Sequence, residues 1–282
     1  MKNIALLQHL LLALSLFALC LGNWSCSAIP PAPDKPLRIV QERSYQATQL
    51  LVSSERISEA TIGCTASGVN ILASPVTLRG ALSSNNVPLM VIRKADPELP
   101  YSFRYRTEWH IGVSGGNPDR TVVYALPVPK GHCFKITQGY FGRTHTVDSP
   151  YKYAIDFGMP EGTPVCAARD GEVVGYRTDS NIGGPSTEFS ECANYLIVKH
   201  ADGSYSEYLH LKQNGVLVQL GSKVHAGQTI GLSGNTGQTH GPHLHFCVFY
   251  YDDLDRRQSV SVVFSSRSGV IHRPQAGMLV AR

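Results

Sequence analysis

No two of the seven cysteines form a close CxxC pair, which argues against a cysteine-built structural zinc site. After Leu21 no run is long and apolar enough to cross a bilayer. Charge of neither sign dominates: 25 Lys and Arg face 21 Asp and Glu, a formal net charge of +4. So weak an excess tolerates an anionic surface but does not argue for nucleic acid. Helical periodicity is also missing: residues 131–263 contain no convincing amphipathic helix.

The one long apolar run covers residues 4–21 and follows Lys2. The small-residue pattern "CSA" at 26–28, followed by "IPPAP", has the form of a signal-peptidase site. A cleaved secretory signal over 1–28 is favoured over a retained helix. A lipid anchor is disfavoured, because "FAL" before Cys20 and "NWS" before Cys26 lack the usual leucine and two small residues. Export to the periplasm or beyond is expected. Exported proteins can keep disulfides, and the five remaining cysteines leave at least one thiol unpaired or intermolecular. Residues 29–36, "IPPAPDKP", hold too much proline for a helix or central strand and read as a linker.

Beyond the linker the chain is strand-like throughout, so the expected class is all-β. Over 37–126, segments such as "VPLMVIRKA" and "YSFRYRTEWHIGV" alternate apolar with polar residues between turns, which suggests a small β-sandwich. This part shows no catalytic cluster, and His110 reads as a packed or surface histidine. Over 127–264 glycine becomes dense and short strands continue. "YLIVKHADGSYSEYLHL" reads as strand, turn, strand, with Asp and Gly supplying the turn. Residues 265–282 read as a short extension.

The 11 histidines are unevenly spent: "GNTGQTHGPHLHF" at 234–246 holds three of them. Side chains two apart on a strand share a face. "HLHF" therefore sends His243 and His245 one way and Leu244 and Phe246 the other. His240 reads as loop. By the same alternation "EYLHL" puts Tyr208 and His210 on one face. "YAIDFGMP" puts Asp156 opposite Ile155 and Phe157. If the three polar faces meet, His210, His243, His245 and Asp156 converge with donors suited to zinc. A lone HxH is more often structural than metal-binding, so the combination carries the reading. Cys247 should share the His243–His245 face. A disulfide is expected there, to Cys166 or Cys192, with the partner left open. His200, at the end of a strand, reads as structural.

Several of these pieces, "AIDFGMPEGTPVCAARDGEVV", "YSEYLHL", "GSKVHAGQTIGLSGNTG" and "HGPHLHF", resemble the lysostaphin-like (LytM-type) zinc metallopeptidases that cut peptidoglycan cross-links. The resemblance runs over roughly residues 138–248. It implies a barrel-like β-sandwich, a duplicated hybrid motif, with one Zn²⁺ in a groove. It makes residues 127–264 the peptidase domain, Asp156 and His245 zinc ligands, and His210 and His243 the catalytic histidines. One position departs from the family pattern: Lys152 stands four residues before Asp156, where the family has a histidine ligand. A protonated lysine is a poor ligand. The nearest upstream histidine is His145, in "GRTHTVDSPYKYAIDF", which looks like a loop inserted in a hairpin. His145 is therefore the expected third ligand. The implied function is a zinc endopeptidase acting on peptidoglycan peptides outside the cytoplasm. The rival is an inactive protein of the same fold that binds cell wall or regulates another cell-wall hydrolase.

Overall fold

The computed structural model describes residues 36–282. The expected signal over 1–28 and all but the last residue of the linker lie outside the described residues. No helix among the described residues is long and apolar enough to cross a membrane.

The architecture is all-β, in two parts. The first comprises β1 (Arg38–Arg43), β2 (Ala47–Ser53), β3 (Glu59–Val69), β4 (Ile71–Leu72), β5 (Val76–Ala81), β6 (Val87–Lys94) and β7 (Ser102–Ile111). They form two sheets, ordered β1-β2-β6-β4 and β5-β3-β7. Alternation decides which residues go inside. Along β7, Arg104 and Arg106 are exposed, while Phe103 and Tyr105 pack onto a core of Leu50, Ile57, Ile62 and Ile92. This is a small sandwich.

The second part begins with β8 (Val123–Ala125), β9 (Cys133–Gln138), β10 (Ile155–Gly158), β11 (Pro164–Cys166), β12 (Gly171–Arg177) and β13 (Gly183–Gly184). A short 3₁₀ turn at Thr187–Cys192 leads to β14 (Tyr195–Lys199), β15 (Tyr205–Leu209), β16 (Leu211–Val216), β17 (Lys223–Val224), β18 (Thr229–Ser233) and β19 (Gly237–Gln238). The chain ends with β20 (His243–Tyr251), β21 (Arg257–Ser259), β22 (Val263–Ser266), β23 (Gly269–Ile271) and β24 (Leu279–Ala281). The main sheet runs β17-β12-β14-β15-β20-β10-β9-β24, with β21 beside β20. A smaller sheet, β11-β18-β16, packs on one face of it through Val165, Ile230 and Leu211. The shared core holds Phe157, Tyr208, Leu244, Phe246 and Phe264.

Residues near both ends of this second part take places that their sequence did not announce. Tyr124 and Leu126, read with the first sandwich, lie in the larger core. The stretch 265–282, read as an extension, supplies β23 and also β24, which forms an edge of the main sheet by pairing with β9.

Along β20 the other face of the sheet presents His243, His245, Cys247, Phe249 and Tyr251 in turn. Phe249 and Tyr251 join Tyr205, Val174 and Ile197 in an apolar cluster, and Ile111 of the first sandwich packs on it. Backbone bonds Ser58 N–Val174 O (2.9 Å) and Tyr176 N–Arg56 O (3.0 Å) reinforce that contact. The two sandwiches thus share one face of the main sheet.

The expected disulfide at Cys247 does not form: all five cysteines of the described residues are free. Cys247 lies opposite Glu207 on the β15–β20 ladder. Val165 of β11 packs into the core on the other side of the sheet, so the sheet separates Cys247 from its expected partner Cys166. Complete burial pushes its thiol up to about 12.

Beside Cys247 a charged layer crosses the interior. Arg257 donates to both oxygens of Glu207 (3.1 and 2.6 Å). Its guanidinium stacks on Phe249 at 3.7 Å and on Tyr151 at 4.5 Å. Arg257→Ala would leave Glu207 buried without its counter-charge. The expected loss is about 3–5 kcal/mol, read as a lowered denaturant midpoint with the slope unchanged.

His200 is structural, as its place in the sequence suggested. Its Nδ1–H donates to the Asp170 carbonyl (2.8 Å) and its Nε2 meets Ser206 Oγ at 2.6 Å. Burial lowers its pKa to about 4. A histidine held neutral in the fold contributes stability above its unfolded pKa of about 6.5. That contribution is lost as pH falls toward 4, because the unfolded chain then binds the extra proton. The metal-free protein should therefore lose up to roughly 3 kcal/mol between pH 6.5 and 4 through this group. A His200→Gln variant, less stable at neutral pH, should show a shallower slope in the same pH titration of melting temperature.

Candidate metal centre and active site

The site grows from one row across the main sheet. Gln138 of β9 lies opposite Asp156 of β10, Asp156 opposite His245 of β20, and His245 opposite Leu209 of β15. Opposed residues on paired strands share a face, so the four side chains stand side by side. The alternating residues on the other face, Ile155, Phe157, Leu244 and Phe246, fill the core. The period-two reading of "AIDFG" and "HLHF" corresponds to this register.

Asp156 and His245 meet directly: His245 Nδ1 lies 2.9 Å from Asp156 Oδ1. His145 arrives from the loop 139–154 that joins β9 to β10. The neck of that loop is closed by Phe141 N–Lys152 O (2.9 Å), and Phe141 and Tyr153 pack edge to face. Turn bonds at Ser149, Lys152 and Ala154 shape the rest. His145 is buried, with Nε2 3.6 Å from Asp156 Oδ1 and Nδ1 3.4 Å from the Gly139 carbonyl. Lys152 takes no part; its ammonium lies over the Tyr153 ring.

One ligand atom from each of His145, Asp156 and His245 lies within 4.8 Å of the others. Tetrahedral donors about 2.0–2.1 Å from an ion sit roughly 3.3 Å apart. Two nitrogens and one oxygen at this spacing suit zinc and leave a coordination position open. Ligands must bind deprotonated. Burial lowers the His145 pKa. Burial alone would raise the Asp156 carboxyl, but the His245 hydrogen bond and the surrounding imidazoles hold it well below the usual carboxylate range. His145 and Asp156 are thus poised in the forms a cation needs.

His243 and His210 flank this trio. His243 follows the strand alternation, with Nε2 3.9 Å from Asp156 Oδ1 and Nδ1 2.8 Å from the Gly241 carbonyl. His210 reaches the site by a different route from the one its sequence predicted. Tyr208 faces the core against Phe246, so alternation would carry His210 there too. Instead β15 ends at Leu209, and His210 adopts a left-handed φ of 63°. That turn swings its ring to 4.5 Å from His243, centroid to centroid. Its Nδ1 lies 2.7 Å from the Thr236 carbonyl. Thr236 is itself held by Asn194 N (3.0 Å) and by the Leu211 carbonyl (2.8 Å). Burial, with His243 and His245 close by, lowers the His210 pKa to about 3. With both Nδ1 atoms tied to backbone carbonyls, each ring has its Nε2 free as a base. The close approach needs Gly234, where a Cβ would come within 2.4 Å of Lys212 N.

These side chains floor a groove of about 900 Å³. Its walls include Arg143 and Thr144 of the loop, Gln238 and His240 near β19, and Gln275 from the C-terminal stretch. His240 is exposed there, in the loop position read for it. Gln138, Tyr151 and Gln275 border the site without having been singled out in the sequence. Gln138 was legible only as the residue where the resemblance begins, and no spacing rule exposes its chemistry.

The sequence model of Peptidase family M23 matches residues 150–257. The solved structure of LytU is 32% identical, over 41% of this chain and 72% of that one, with a TM-score of 0.33. Residues 150–257 carry a domain of peptidase family M23. Among curated relatives, the peptidoglycan DD-endopeptidase ShyA of Vibrio cholerae is 45% identical over 91 residues, 32% of this chain and 18% of that protein. The glycyl-glycine endopeptidase ALE-1 of Staphylococcus capitis is 37% identical over 116 residues, 40% of this chain and 28% of that protein. The match spans only about a fifth of the length of the first curated relatives.

Proposed function

We propose that this protein is a zinc-dependent endopeptidase that hydrolyses peptide cross-links of peptidoglycan outside the cytoplasm. The observation that carries the reading is the convergence of His145, Asp156 and His245 within 4.8 Å, with two further imidazoles beside them on a groove floor. The names of relatives such as ShyA support the substrate class. His145, Asp156 and His245 would hold the ion. When bound, zinc acidifies water in its open position and polarises the scissile carbonyl.

The chain's own residues would do the proton work. His210 and His243 keep their Nδ1 atoms engaged, so each Nε2 can accept a proton or pass one on. One takes the proton from the attacking water and returns it to the departing amine. The other would stabilise the oxygen where charge develops once its own Nε2 carries a proton, a contribution typically worth about 10²–10³ in rate. Burial favours a neutral ring at His210. In this reading the first sandwich, β1 to β7, positions substrate. The contribution it makes through the shared sheet face is indirect, since the residues lining the groove all come from 137–276.

Two variants test the assignment. His145→Ala should abolish both zinc retention and cleavage of purified peptidoglycan, since two protein ligands are too few for a catalytic site. His243→Ala should keep most of the zinc and lose about 10²–10⁴ in rate. Normal zinc content in the His145 variant would discard that ligand. An unmutated, zinc-loaded protein that cleaves no peptidoglycan would favour a binding or regulatory role in the cell wall.

A further inference from the structure

We propose that Gln138 is a positioning residue that selects which oxygen of Asp156 faces the metal and ties that choice to the loop carrying His145. The inference rests on the zinc reading above and extends it to a residue outside the ligand and proton-transfer sets. Three hydrogen bonds carry it. Gln138 Nε2 donates to Asp156 Oδ2 at 2.7 Å and lies 2.7 Å from Thr144 Oγ1. Gln138 Oε1 accepts from Thr144 N at 2.8 Å.

The amide orientation is fixed by chemistry. The Thr144 N–H can only donate and the ionised Asp156 carboxylate can only accept. Exchanging the amide N and O would break both contacts at once. Gln138 therefore matches two partners that no carboxylate or lysine could satisfy together. Its donor occupies Oδ2 and leaves Oδ1 toward His145, His243 and His245, at 3.6, 3.9 and 2.9 Å. A carboxylate held this way presents one oxygen to an ion and cannot swing to chelate with both.

The same side chain anchors the residue before His145. The loop leaves the sheet at Gly139 and must bring His145 back over the β9–β10 pair. Gln138 holds it through Thr144, and the chain is close enough that a Cβ on Gly142 would come within 2.4 Å of Gln138 Cγ. Where Lys152 stands in place of a ligand on the strand approach, the donor must come from a longer tether. Gln138 is the point at which that tether and the strand-borne ligand are registered to each other. Groups that orient a ligand in this manner typically contribute about 10–100-fold in metal affinity.

The experiment compares zinc dissociation constants of the full-length protein and its variants, by competition with a chromogenic chelator. Gln138→Met keeps the stem that packs under Gly142 and removes both polar atoms. It should weaken zinc binding by about tenfold or more, with some fall in the metal-free melting temperature from the donor lost at buried Asp156. Thr144→Val removes the hydroxyl but keeps the N–H and the Asp156 contact, and should stay within about threefold of the parent. Should Gln138→Met fail to fold, Gln138→Asn serves: one methylene shorter, it cannot span Asp156 and Thr144, and the same weakening is expected. A folded Gln138 variant that binds zinc as tightly as the parent overturns the proposal while leaving the zinc site standing. A parent that binds no zinc overturns the zinc reading itself, and this proposal with it.

Discussion

The whole groove floor depends on one cross-strand pair, Asp156 opposite His245. The period of a strand is two, so a slip of one residue would put both side chains into the core and bring Phe157 or Leu244 to the surface. The register is held from the other face, where Ile155, Phe157, Leu244 and Phe246 are buried together. Burying such side chains contributes about 1.5–3 kcal/mol each. The apolar face therefore fixes the polar one, and the polar pair needs no favourable energy of its own to stay in register.

That arrangement has an electrostatic cost. Asp156 is buried, and its ion-pair partners are histidines: His145, His243 and His245. An ionised carboxylate at this depth costs several kcal/mol unless compensated. Burial favours neutral imidazoles at His145 and His210, and the imidazole hydrogen bond to the carboxylate comes from His245 Nδ1 at 2.9 Å. Gln138 adds a neutral donor to the same carboxylate. The result is a buried anion beside imidazole nitrogens, a donor set that could hold a metal ion. A salt bridge from lysine would satisfy the charge and close the site. Lys152, which stands where such a bridge was conceivable, lies over Tyr153 instead.

The parts of the site that lie on regular strand were legible as alternation: Asp156 in "AIDFG", His243 and His245 in "HLHF". His210 was legible as a residue type in a motif but not as a position. Alternation aims it at the core, and only a left-handed backbone turn redirects it. No local pattern in "EYLHL" encodes that turn; it depends on Thr236 and Asn194, which lie far from it in the chain or on the other side of a hairpin. His145 was inferred by exclusion of Lys152, and its approach depends on loop closure that spacing cannot express. The disulfide expected at Cys247 failed because cysteine count and export say nothing about which sheet face each thiol occupies. The tail at 265–282 read as a short extension, yet pairing with β9 makes β24 an edge of the main sheet.

The shared face of the main sheet gives the first sandwich a physical connection to the site without a place in it. Moving along β20 from the groove, the side chains pass from His243 and His245 to Cys247, then to Phe249 and Tyr251 under Ile111. Between groove and sandwich lies the Glu207–Arg257 layer, with Arg257 stacked on both Phe249 and Tyr151. Tyr151 belongs to the loop that carries His145, and its ring packs edge to face against His245 at 5.5 Å. Arg257 is thus the group on which contacts from β20 through Phe249, from β15 through Glu207 and from the loop through Tyr151 converge, while every residue lining the groove comes from 137–276.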